Sequence, residues 1–187
     1  MHKRIAVAAA AVLVACGGGS SWVDPTSGSF STQDSAEVMV MVSGAFGAGV
    51  QRQPGPQLRN ALTEPVNATV LCEASGNVTV NGSMDASCNA AGTSCSFNGG
   101  LALHLNSCTS TTGYVGDGGL NIGASGSVDT VANTFSLHET IQGGITVTHN
   151  GTLVGTCGIN VTVDLSSNGT TDTVHVSGTI CRQPVAQ

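Results

Sequence analysis

The chain has 187 residues, of which 9% are charged and 3% aromatic, with 26 glycines, five basic against 11 acidic side chains and a net charge of −6. So few cations exclude nucleic-acid binding, which rests on clustered Lys and Arg neutralising phosphates. Trp22 and Tyr114 are the only large amphipathic rings, which argues against a sugar platform and against a membrane barrel with aromatic girdles; low charge with abundant Thr, Ser and Val argues equally against disorder.

The chain opens with a basic pair, Lys3 and Arg4, followed by an apolar run from Ile5 to Ala15 that ends at Cys16. This is the layout of an export signal, and it is shorter than the about 20 apolar residues that span a bilayer. Leu13-Val14-Ala15-Cys16 resembles the lipobox of the bacterial lipoproteins. The resemblance covers only this N-terminal stretch. It implies that residues 1–15 are removed, that the Cys16 thiol carries a diacylglyceryl group, and that the new amino terminus is acylated, for instance by palmitate. Several chains on one cysteine make a lasting anchor where a single chain would not. Gly17, in place of an aspartate, implies an outer-membrane address in a Gram-negative cell.

Residues 16–33 read as the lipidated cysteine and a flexible tether, since Gly17-Gly18-Gly19-Ser20-Ser21 is a soft leash. The remainder, 34–187, suits one domain. Without the signal, three arginines (Arg52, Arg59, Arg182) face 11 acids, a net charge of −8. Cys72, Cys88, Cys95, Cys108, Cys157 and Cys181 remain once Cys16 is assigned to lipid. An even number in an exported chain reads as disulfides. A zinc site is not expected, because no C-x-x-C or close histidine pair is present. Cys88 and Cys95 flank a short loop and could close it.

Asp34 and Glu37 look like an N-cap and its partner, and Val38, Met41, Val42, Ala45 and Phe46 follow at helical spacing. The all-apolar run 38–42 could also be a strand, but the cap decides for a helix. Gly44, Gly47 and Gly49 weaken its second half. Residues 51–65, with Pro54-Gly55-Pro56, form a loop.

From Val66 to Cys181 the texture is alternating strands and turns, expected at 66–74, 77–86, 95–106, 114–127, 134–142, 144–149, 152–165 and 173–182. In the third, Phe97, Leu101, Leu103 and Leu105 share one face and Ser96, Asn98, His104 and Asn106 the other. Asn150-Gly151 is a hairpin turn. Such short connections have no room for crossover helices, so the expected fold is α+β but mainly β: a strongly curved antiparallel meander of about eight strands, half-barrel or barrel-like, packed on one N-terminal helix. An all-β sandwich is the alternative. This texture resembles the Gly/Thr/Ser-rich β-meander lipoproteins of Gram-negative bacteria, which implies no particular activity. If Leu165 faces Val174, Cys157 points in and Cys181 out, so register tells against their pairing unless a bulge near Gly155 or Gly178 intervenes.

No nucleophile elbow, zinc-protease motif, phosphate loop or dinucleotide fingerprint occurs. Asp117, in Gly116-Asp117-Gly118-Gly119, lacks the repeated acidic ligands of a calcium loop. His104, His138 and His175 fall on polar strand faces, and His149 adjoins a turn; a metal or catalytic cluster would need several at one level on neighbouring strands, which spacing alone does not reveal. Glu139 is the unusual acid, because alternation puts it with Phe135, Leu137 and Ile141 on the apolar face, where desolvation would raise its pKa. The expectation is therefore a non-enzymatic, outer-membrane-anchored structural or interaction module without cofactor or metal, touching the membrane through Cys16. A binder of lipid or another apolar ligand within the curved sheet is the second reading, and an enzyme the third.

Overall fold

A computed structural model describes the backbone of residues 23–51 and 62–186, and the side chains of 23–42 and 66–186. The elements are β1 (Ser27–Gly28), α1 (Thr32–Gln51), β2 (Leu62–Leu71), β3 (Ser75–Cys88), β4 (Ser94–Thr109), β5 (Tyr114–Asp129), β6 (Thr134–His149), β7 (Thr152–Ser167), β8 (Asp172–Ile180) and β9 (Gln183–Ala186). Strands β2 to β9 pair antiparallel in sequence order, and β1 pairs with β7. The result is one strongly curved open sheet with a helix on its concave side, not a closed barrel and not a two-sheet sandwich.

Alternation decides the layering. Val78, Val80, Leu101, Leu103, Leu105, Leu120, Ile122, Ile145, Val147, Ile159 and Val161 are buried on the concave face, together with Val38, Met41 and Val42 of α1. Burial of each large aliphatic side chain contributes about 2 kcal/mol. The expected helical stripe is present through Val42, while Val40 faces solvent at 56% exposure, as a helix requires and a two-sided buried strand would not. Ala45 and Phe46 lie where side chains are not described.

Five details differ from the sequence reading. Strand β2 begins at Leu62, inside the loop expected at 51–65, because Leu62 to Pro65 pair with Ser83 to Ala86. The N-cap is Ser31: its Oγ accepts from the Asp34 N–H at 3.2 Å while the Asp34 carboxylate accepts from the Ser31 N–H at 2.8 Å, so Asp34 is the returning partner of the box. Glu37 instead accepts from the Thr112 hydroxyl at 2.7 Å. The strands expected at 134–142 and 144–149 are a single strand, β6, because Gly143-Gly144 stays extended beneath a crossing segment; a side chain at Gly144 would run into the Pro25 ring. Two short strands, β1 and β9, were not anticipated. The turn at Asn150-Gly151 has φ of 50° and 77°, the two left-handed residues that a type I′ hairpin needs.

Candidate functional site

The six cysteines stand in three pairs at disulfide distance, one at each of three corners of the sheet. Cys72 and Cys108 join the end of β2 to β4, Cys88 and Cys95 close the β3–β4 hairpin, and Cys157 and Cys181 join β7 to the β8–β9 turn. The hairpin pairing matches expectation. The third pairing does not follow from strand alternation, although Leu165 does face Val174. Its cause is that β8 stops at Ile180, and Cys181 and Arg182 turn left-handed with φ of 48° and 65°. Alternation ends one residue before the cysteine, so no bulge at Gly178 is needed and Cys181 is free to point inward, where it is 4% exposed.

Beside that corner, the stretch 24–28, expected to belong to the tether, is fastened to the outer face. Thr26 Oγ1 accepts from the Gly158 N–H at 2.8 Å, and the Arg182 guanidinium donates to the Thr26 carbonyl at 2.6 Å and faces Asp24 at 3.5 Å. Hydrogen bonds from Thr26, helped by Arg182, hold the Asp24 pKa below its ordinary value. Gly158 permits this approach, since any Cβ there would strike Asp24, Pro25 and Thr26. The end of the chain that leads toward Cys16 is thus clasped to β7 and the β8–β9 turn. Cys16 itself lies outside the described residues.

On the helix-facing surface, Tyr114 is buried. Its hydroxyl donates to Asp34 at 2.8 Å and its ring stacks on His149 at 4.0 Å. The Ser31 cap, together with this phenol, lowers the Asp34 pKa, and the phenol pKa rises because its proton is shared with a carboxylate. His149 is therefore a stacking partner in this network. Asp117 also has a structural task, accepting from the Ser107 N–H at 2.6 Å across the bulge in β4.

The lower concave face carries Glu139, as alternation foresaw. It is 7% exposed and in register with Ala124 and Val163, and its side chain makes no hydrogen bond or ion pair with the described residues. Burial in apolar surroundings pushes its pKa from 4.5 to about 7. His138, its neighbour in sequence, is on the opposite face, so the two do not act together. In the row of Glu139, Ala124 is in register with Gly99, against which Met84 lies.

The outer face is a set of polar rows. His104 contacts the Gly118 carbonyl at 2.8 Å, and its row neighbours are Thr79 and Gly119. His138 contacts Asp164 at 2.7 Å, and Asp164 is in register with His175. Spacing alone could not reveal that level, because it depends on two hairpin registers at once. No protein-family model matches this chain, and no curated protein or solved structure matches it either.

Proposed function

We propose that this chain is a lipoprotein of the Gram-negative outer membrane, anchored through acyl chains on Cys16 and serving as a non-enzymatic structural or interaction module of the envelope. The observation that carries this reading is cysteine arithmetic: six of the seven cysteines pair with one another, which leaves Cys16, at the lipobox, as the odd one. Paired cysteines suit an oxidising compartment. The clasp at Asp24–Thr26 adds a mechanical argument, since residues 17–23 can extend at most about 25 Å, which would hold the β7 and β8–β9 corner near the lipid surface.

The test is metabolic labelling with an alkyne analogue of palmitate in a Gram-negative host, followed by membrane fractionation. Label on the wild-type chain in the outer-membrane fraction and none on Cys16→Ser is the expected outcome. An unlabelled wild-type chain, or label that survives Cys16→Ser, would contradict the reading.

A further inference from the structure

An open antiparallel sheet ends in two strands whose outer backbone groups have no partner, and folded proteins guard such edges with short strands, charge, proline or bulges. This sheet guards one of its two edges. On that side, β9 is four residues long and carries Pro184, and the stretch of β8 that it leaves uncovered, Asp172 to Val176, carries Asp172 and His175. On the other side, β2 is ten residues long, runs along β3 without a bulge, and has no charge, glycine or proline from Val66 to Leu71. Among the described residues no strand pairs with its free side.

The phase of the ladder decides which groups are free. The Cys72 N–H donates to the Gly76 carbonyl at 3.3 Å, and these two residues continue the β2–β3 register by one pair. Hydrogen-bonded pairs alternate along an antiparallel ladder, so Val66, Ala68 and Val70 bond inward to β3, while Pro65, Asn67, Thr69 and Leu71 turn their backbone groups outward. Pro65, which has no N–H, falls on the outward side, where an edge strand tolerates it. We propose that β2 pairs antiparallel with β2 of a second copy of this chain, about a two-fold axis at Ala68, to make one continuous sheet. Asn67 and Thr69 of each copy then exchange backbone hydrogen bonds with Thr69 and Asn67 of the other, and each Leu71 N–H donates to the Pro65 carbonyl across the axis.

Self-complementarity selects a second copy as the partner. The two-fold axis keeps both concave faces on one side, so Val66 lies opposite Val70 twice, Ala68 opposite itself, and Asn67 opposite Thr69 on the polar outer face. Leu71, 71% exposed in the single chain, lies opposite Pro65. A centre at Asn67 would set Glu64 opposite Val70, and a centre at Thr69 would set Val66 opposite Cys72, beyond the end of the strand. Such mismatches fix a register. The chain is negative overall, yet the stretch that pairs is uncharged, so no acid faces another across the axis.

The experiment is disulfide capture on the purified full chain with its native cysteine pairs oxidised, comparing Ala68→Cys with Asn67→Cys and Thr69→Cys on non-reducing gels. Opposed residues of a non-hydrogen-bonded pair have Cα atoms about 4.5 Å apart, within disulfide reach. Asn67 and its own counterpart are displaced by two residues, about 6.8 Å along the strand, and fall outside that reach, as do Thr69 and its counterpart. The expected result is a band of twice the chain mass in Ala68→Cys, collapsed by reductant and at least about tenfold stronger than in either neighbour. Adding Thr69→Pro, which removes an outward N–H and no bond to β3, should abolish it. Native mass spectrometry of the unsubstituted full chain should show the dimer directly, which keeps the test independent of how any variant folds. Absence of the doubled band in Ala68→Cys, a band as strong in Asn67→Cys or Thr69→Cys, or an unsubstituted chain found only as monomer or bound to a different polypeptide would overturn the proposal.

Discussion

Replacing Glu139 with glutamine should abolish a specific part of the pH dependence of stability. The folded-state pKa is about 7, against 4.5 for the free side chain, and desolvation is its cause. Between those values the folded protein keeps the proton that the unfolded chain has released. Stability is then fully present below about pH 4.5 and declines as pH rises, by about 1.4 kcal/mol per unit, until the folded group has also ionised. The total loss above neutrality is about 3 kcal/mol. Glutamine has nearly the same shape and never ionises, so the variant should match the wild type near pH 4 and exceed it by about 3 kcal/mol near pH 8. Equilibrium urea unfolding with cysteines oxidised, run on both proteins across this window, reads the difference directly, and the titration of every other group cancels in it. A wild-type-minus-variant difference that stays flat from acid to neutral pH would refute the burial of an unpaired carboxyl at this position.

Four further outcomes follow from the geometry. Tyr114→Phe should cost about 2 kcal/mol, because it removes a donor to the Asp34 carboxylate. Asp34 has a lowered pKa, so its contribution is present above 3.8 and lost as pH falls through the lower folded value; Asp34→Asn should flatten that acid-side decline in the same unfolding assay. Removing cysteine pairs should destabilise in order of the loops they close: about 4 kcal/mol for Cys72–Cys108 with a separation of 36, about 3.5 for Cys157–Cys181 with 24, and about 2.5 for Cys88–Cys95 with 7, measured as denaturant midpoints of the double serine variants. Thr26→Val leaves the buried Gly158 N–H without its acceptor, so hydrogen exchange at Gly158 should accelerate about tenfold or more while β4 and β5 amides keep their protection; equal acceleration everywhere would mean that the clasp is not a separate unit.

Much of the architecture is legible in the chain because period-two alternation survives from Val66 to Leu165 with few interruptions. The apolar stripe from Val38 to Val42, the Asn150-Gly151 turn and the inward position of Glu139 are all local signals, and local signals are what a sequence carries plainly. The misreadings share a different origin. Gly143-Gly144 looks like a break, yet it is a smooth track under Pro25, a residue more than a hundred positions earlier. Asp34 looks like a cap because Ser31 stands among other serines and threonines and nothing local ranks them. Cys181 was placed outward by extending alternation one residue past the point where two left-handed residues end the strand. The pairing of Thr26 with Gly158 and the level shared by His138, Asp164 and His175 depend on long-range register, which no single stretch encodes.

Intact-mass measurement of the chain purified from the envelope of an expressing Gram-negative host tests the central claim most directly. The expected species begins at Cys16, carries the mass of a diacylglyceryl group and an amide-linked acyl chain, and is lighter by six hydrogens for three disulfides. A chain that retains residues 1–15, or that carries no lipid on Cys16, would contradict it.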